Sequence, residues 1–306
     1  MRINSELRKS VAFVGYVRRD LAGEDEFHPG GTGFFLNYEG VTYFVTARHV
    51  AEALEPPFAL RATTDEGETV MWDTVAAGWF AHHDENVDIA IVAGVPPGVR
   101  VLGSSLILTP EKAAEHDIGV GDEVHIIGLY RLLHGRTKNQ PIVHSGHLAM
   151  LPEDERIRQR DQRTGAVRDV EAYLVEAQTL EGLSGSPVFV RNTLQIPGRV
   201  NREEGRGRGF LLGGLHLLGI WSGAWDSPPG EVLAQERPGA GRVPVGMGLT
   251  VPSYKLLELL EMPRVVEHRA GLIAQRDAAN QDAALVAEAD EPVAPADQAL
   301  PDGDGE

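Results

Sequence analysis

The feature that most limits what this chain can become is a recurrence of short β-forming runs that continues to residue 251. "VAFVGYV", "GTGFFLNY", "VTYFVTA", "DIAIVAGV", "DEVHIIGLY", "HLAML", "AYLVEA", "SPVFV", "FLLGGLHLLGIW" and "VGMGLTV" are rich in β-branched and aromatic residues. Gly, Pro, Asn and Asp clusters separate them, the pattern of an antiparallel sandwich or barrel and not of alternating strands and helices. Glycine supplies 35 of the 306 residues, above the usual ~7%, in keeping with many tight turns. Two helical stretches are expected. One is a brief "HVAEAL" at 49–54; the other is "SYKLLELLEM" at 253–262, capped by Ser253 and stopped before Pro263. After Arg264 the chain becomes rich in Ala, Glu, Asp and Gln. A loose helix over 266–289 is expected there, then about fifteen disordered residues with too little apolar surface to offset their chain entropy.

Charge excludes one class of partner. The net charge is −17, and residues 277–306 hold nine acidic residues and no basic one, so the remainder still carries −8. A body this acidic does not suit a nucleic-acid phosphate backbone. Arg156, Arg158, Arg160, Arg163 and Arg168 are interleaved with Glu153, Asp154, Glu155, Asp161 and Asp169, and this stretch is read as a solvated loop. Residues 191–209 and 222–242 are also read as surface loops. No apolar run approaches the ~20 residues that span a membrane, and no leader sequence is read at the N-terminus. With no cysteine there is no disulfide and no thiolate chemistry. A cytoplasmic protein, monomeric or weakly self-associating, is expected.

Chemistry is concentrated in "GLSGSPVFV". A nucleophilic serine needs a base, a group that orients the base, and donors for the oxyanion. Gly182 and Gly185 bracket Ser184, so the Gly182 and Ser184 amides can converge on one point. Ser186 is followed directly by Pro187, which presses it into an extended conformation. Ser184 is therefore the nucleophile candidate. His49 lies where the aromatic run "YFVTA" gives way to a helical turn, and is the candidate base. Asp88 opens the apolar run "DIAIV" and is the candidate carboxylate that fixes the histidine tautomer. Asp84 and Glu85 are rivals, but they sit in the polar run "HHDEN".

These residues resemble a known family. "Thr-Ala-Arg-His49-Val", "Asp88-Ile-Ala-Ile-Val" and "Gly182-Leu-Ser184-Gly-Ser-Pro" are similar, in that order, to the histidine, aspartate and serine segments of the trypsin-like serine peptidases. "Gly31-Thr-Gly33-Phe" and "Gly121-Asp-Glu-Val-His-Ile-Ile-Gly128" resemble supporting strands, so the resemblance covers roughly residues 8–262. It is to the disulfide-free bacterial or phage branch. The resemblance implies an all-β fold of two six-stranded antiparallel barrels over 1–262, with a boundary near 110–120. A C-terminal helix and a flexible acidic tail over 263–306 would follow. It further implies hydrolysis of a protein or peptide substrate through an acyl-enzyme, without cofactor or metal. Ser184 would be the nucleophile, His49 the base and Asp88 its orienting partner, with Gly182 and Ser184 as oxyanion donors. A catalytically silent binding module and an esterase-like hydrolase on the same fold are the alternatives.

The sequence departs from the family's pattern at Arg48, Leu183 and Ser186, none of which removes a catalytic group. By family position Gln178, Thr179 and the backbone of Ile220, Trp221, Ser222 and Gly223 line the substrate pocket. Gln178 brings no charge to its base, so a preference for Lys or Arg is not supported; His216 raises a Glu- or Gln-preferring alternative. The pairs His82-His83 and His144/His147 lack a third ligand at a diagnostic spacing and are read as surface histidines. His125, within an alternating strand, is read as a core or barrel-face residue.

Overall fold

The structure is a computed structural model of the chain. It describes residues 3–19, 23–54, 56–73, 78–133, 135, 138–153, 155–160, 167–178, 182–191, 214–227 and 243–289. Helix α1 (Ser5–Lys9) leads into β1 (Val11–Arg19), β2 (Asp25–Tyr38) and β3 (Val41–Thr46), and α2 (Arg48–Glu52) follows directly. Strands β4 (Ala59–Thr63), β5 (Thr69–Asp73), β6 (Phe80–Ala81), β7 (Ala90–Ala93) and β8 (Leu102–Gly103) complete an eight-stranded sheet. Its order is β5-β4-β1-β2-β3-β7-β6, with β8 parallel to β2. The second group is α3 (Pro110–Glu115), β9 (Glu123–Leu129), β10 (Pro141–Met150), a hairpin of β11 (Ile157–Arg160) and β12 (Val167–Val170), β13 (Tyr173–Glu176), β14 (Pro187–Arg191), β15 (Leu215–Ser227) and β16 (Val243–Pro252). Helices α4 (Ser253–Leu260) and α5 (Pro263–Ala289) end the described chain.

One six-stranded barrel of the two expected is closed, in the order β10-β13-β16-β15-β14-β9. In the first half the outer strands β5 and β6 are not bonded to each other among the described residues, so that half is an eight-stranded sheet.

The period-2 alternation of strand side chains explains how the two halves share a core. In β1, Val11 and Phe13 face one cluster while Ala12 and Val14 face another. Phe34 and Leu36 against Phe35, and Tyr43 and Val45 against Phe44, repeat the division in β2 and β3. The first cluster also takes in Ile127 and Leu129 of β9, Phe189 of β14, Ile220 of β15 and Leu256, Leu259 and Leu260 of α4. Strand β9 is buried on both faces because Val124 and Ile126 fill the barrel interior instead. The sheet is thus bonded to the barrel by a continuous apolar layer.

Several expectations change. Ser253 does not cap α4; its hydroxyl is fully buried and donates to the Leu217 carbonyl at 2.7 Å, while the Leu108 amide donates to it at 3.1 Å. The arginine-rich stretch is not merely a solvated loop: its ends form the β11–β12 hairpin, with Arg158 opposite Asp169, and Arg168 donates to the Glu85 carbonyl at 2.8 Å. Residues 222–227 belong to β15 and not to a surface loop; 192–213 and 228–242 lie outside the described residues. The final helix begins at Pro263 and is docked. Arg269, only 5% exposed, donates to the Leu260 carbonyl and pairs with Glu39 and Glu261, and its guanidinium lies over the Tyr38 ring. The last fifteen or so residues, expected to be disordered, lie outside the described residues. Among the described residues no helix is long and apolar enough to cross a membrane, and no three His, Asp or Glu side chains converge as a metal site would require.

Candidate active site

The candidate residues come from three separate element ends. Strand β3 stops at Thr46, and Ala47 is the N-cap of α2, so His49 sits in the first turn of that helix. Val50 and Ala51 of the same turn are buried in the sheet's inner cluster or against it, which anchors the turn while the imidazole stays half exposed. Asp88 lies just before β7, between the buried Val87 and Ile89. Ser184 lies in the turn that feeds β14.

Asp88 grips His49 twice. Its Oδ2 lies 2.8 Å from the ring Nδ1, and its Oδ1 accepts the His49 backbone amide at 2.9 Å. An ionised carboxylate facing Nδ1 requires the proton there, which leaves Nε2 as the acceptor. Burial disfavours the charged carboxyl of Asp88. The neighbouring His49 charge, the His49 ring and Ser222 hydroxyl hydrogen bonds and the His49 amide outweigh this, holding it below the usual carboxylate range. The rivals do not reach His49: Asp84 accepts the Asn86 amide at 2.9 Å in a local turn, and Glu85 is exposed.

Ser222 carries a role that its sequence position did not reveal. Its hydroxyl donates to Asp88 Oδ2 at 2.5 Å, and its carbonyl accepts the Ser184 hydroxyl at 3.3 Å. The register of β15 against β16 slips between Trp221 and Gly223, and Ser222 sits in that irregularity. A serine hydroxyl is too common a signal to have singled it out.

The turn around Ser184 is clamped from both halves. The Ser184 carbonyl accepts the Thr32 amide at 3.0 Å, and the Gly185 amide in the same peptide unit donates to the Trp221 carbonyl at 2.8 Å. The Leu183 carbonyl accepts the Ser186 amide at 2.9 Å. Because a trans peptide is planar, the Ser184 N–H must point the opposite way, out of the turn. Among the described residues the Gly182 and Ser184 amides donate to no backbone carbonyl. Gly185 has φ +88°, and a Cβ there would lie 2.0 Å from the Thr32 carbonyl oxygen and 2.3 Å from Thr46 Oγ1. Only glycine lets the turn come this close. Ser186 is fully buried, and among the described residues its hydroxyl has no hydrogen-bond partner.

The expected pocket residues separate. Gln178 is exposed just beyond β13, and Thr179 lies outside the described residues. Ile220 and Trp221 bury their side chains in the two main clusters, and the Trp221 amide and carbonyl are bonded to Ser186 and Gly185. The His216 ring lies tilted against that of His116, with centroids 4.5 Å apart, six residues up β15 from Ser222, or about 20 Å along an extended strand. It is therefore no pocket wall. Arg48 pairs through its Nε with Glu52 at 2.6 Å, one turn along α2, and its guanidinium reaches the His82 carbonyl. His82 is buried, with Nδ1 accepting the Asp84 amide and Nε2 against Glu258 of α4. His125 is also buried, bonded to Ser145 at 3.0 Å.

No family model and no curated protein matches the chain. Among solved structures it is similar to the HtrA-type protease AlgW with a decapeptide, at a TM-score of 0.48 and 15% identity. That likeness covers 86% of this chain but only 66% of the other. It is also similar to a serine-to-alanine mutant of Rv3671c from M. tuberculosis H37Rv in an inactive form, at a TM-score of 0.42 and 18% identity over 83% of this chain and 86% of that one.

Proposed function

We propose that this chain is a serine endopeptidase. Its peptidase unit spans residues 1–262 as two barrel-like halves divided near 110–120, and the segment from 263 on is an appendage to it. The observation that carries the reading is the double grip of Asp88 on His49, at 2.8 and 2.9 Å, while Ser222 bonds both that carboxylate and the Ser184 hydroxyl. A single serine thereby ties the candidate nucleophile to the group that orients the candidate base. In this reading His49 Nε2 takes the Ser184 proton as Oγ attacks the scissile carbonyl. The oxyanion gathers the Gly182 and Ser184 amides, and the imidazolium returns the proton to the leaving amine. Water then cleaves the acyl-enzyme by the same route. The chemistry is complete without a cofactor.

The test is hydrolysis of an unfolded, fluorescently labelled protein such as casein by the full chain. Ser184→Ala is expected to lower the rate by about 10⁴-fold or more, and Ser186→Ala to leave it unchanged. Cleavage that survives Ser184→Ala would refute the assignment. A wild-type chain that cleaves neither protein nor ester would return the molecule to the silent binding module.

A further inference from the structure

Thr32 belongs to the first sheet, is fully buried, and holds the turn before β14 through both its backbone and its side chain. Its amide donates to the Ser184 carbonyl at 3.0 Å. Its hydroxyl accepts the Leu129 amide at 3.2 Å and lies 2.8 Å from the Gly182 carbonyl, to which it donates; the Leu129 carbonyl is farther, at 3.3 Å. The Thr32 carbonyl accepts the Thr46 hydroxyl at 2.7 Å, which fixes Thr32 in turn against the strand that leads to His49. The carbonyls at either end of the Gly182–Ser184 segment are therefore set by one residue, which holds the backbone that carries the Gly182 and Ser184 amides.

We propose that Thr32 is a positioning residue for the oxyanion donors: its hydroxyl relays the Leu129 N–H to the Gly182 carbonyl, while its amide holds the Ser184 carbonyl. The inference rests on the peptidase reading and deepens it. A turn anchored only to the barrel would be free to rotate the 182–183 peptide. With the Gly182 carbonyl fixed, ψ at Gly182 is fixed too, and a glycine at φ +93° has no side chain to restrain it otherwise. Preorganised donors stabilise developing charge because they need not reorient during reaction.

The experiment compares wild type, Thr32→Val and Thr32→Ser in the full chain by their second-order rates of phosphonylation with an alkyl fluorophosphonate, across the neutral pH range. Thr32→Val keeps the shape and removes the hydroxyl. It is expected to react about ten- to a hundredfold more slowly, with the midpoint of the pH profile unmoved because His49 and Asp88 are untouched. Thr32→Ser, which restores the hydroxyl, is expected to return close to the wild-type rate. Ser253→Ala, at a buried hydroxyl remote from the turn, reports the effect of lost stability alone and should keep the wild-type rate. A folded Thr32→Val that reacts as fast as wild type, or is slowed no more than Ser253→Ala, would overturn the proposal. Should Thr32→Val not fold, amide hydrogen exchange in the wild-type chain decides. The Thr32 and Leu129 amides are expected to exchange as slowly as core strand amides, and turn-like exchange overturns the clamp. A wild type that does not react with the probe refutes the peptidase reading, and the exchange rates then judge the clamp independently.

Discussion

Gly185→Ala tests how tightly the first sheet seats the turn at Ser184. The added methyl would meet the Thr32 carbonyl oxygen at 2.0 Å and Thr46 Oγ1 at 2.3 Å, where about 3.5 Å is comfortable. Neither neighbour can give way alone. Thr46 donates to that same carbonyl at 2.7 Å, Thr32 donates to the Ser184 carbonyl at 3.0 Å, and the Gly185 amide is held by Trp221 at 2.8 Å. Relieving the overlap breaks two or three hydrogen bonds at about 1 kcal/mol each. The left-handed backbone adds roughly 1–2 kcal/mol for a residue with a Cβ. The expected loss is about 3–5 kcal/mol, a large share of the ~5–15 kcal/mol typical of a folded domain. Gly67→Ala is the matched control, since Gly67 has φ +90° with nothing within 4 Å of a Cβ. It should lose only the backbone part, and the small gain from a stiffer unfolded chain cancels between the two variants. Urea unfolding followed by tryptophan fluorescence measures both. The expected difference is about 2–3 kcal/mol, or on the order of 10 °C in Tm, with fluorophosphonate labelling lost in Gly185→Ala alone. Equal losses in the two variants would refute the reasoning that close approach to Thr32 forces glycine at this position.

Ser186→Ala removes a fully buried hydroxyl that has no partner among the described residues, so chemical denaturation should find the variant more stable by about 1 kcal/mol. Asp88→Asn tests the depressed carboxyl. Because its folded value lies below its unfolded one, the charge contributes stability above the usual carboxylate range and loses it as pH falls through the folded value. The stability advantage of wild type over Asp88→Asn should therefore be full at neutral pH and shrink below about pH 4; an advantage independent of pH would contradict this. Arg269→Ala leaves Glu39, Glu261 and the Leu260 carbonyl without their shared donor. It should cost about 2–4 kcal/mol in urea unfolding while labelling persists, since no contact of Arg269 reaches Ser184.

Much of this arrangement was legible because it depends on local chemistry. The aromatic and β-branched runs around Phe34, Phe44 and Ile126 alternate as strands must when both faces are covered. The candidates His49, Asp88 and Ser184 stand out in the sequence by flanking glycines, by their place at the ends of apolar runs and by their order along the chain. What escaped notice depends on partners distant in sequence. Ser253 looked like a helix cap, yet it faces Leu108 and Leu217, which only the closed barrel brings near. Thr32 and Ser222 are small hydroxyl residues whose meaning comes from carbonyls and carboxylates 97 to 150 positions away. The short "TPEKAAE" helix could have been read from Thr109 at its N-cap and Pro110 in its first turn. The arginine-rich stretch hid a hairpin because its charges masked the Ile157 and Val170 pair, which are buried opposite each other.

The central claim, that Ser184 is a nucleophile activated by the His49–Asp88 pair, is tested most directly by locating the adduct. The full chain is treated with a fluorophosphonate, its intact mass is measured, and the modified residue is assigned by fragmentation. One phosphonyl group per chain, on Ser184, with none formed in His49→Ala, is the expected result. An unmodified chain, or a group on Ser186, Ser222 or any other residue, would contradict it.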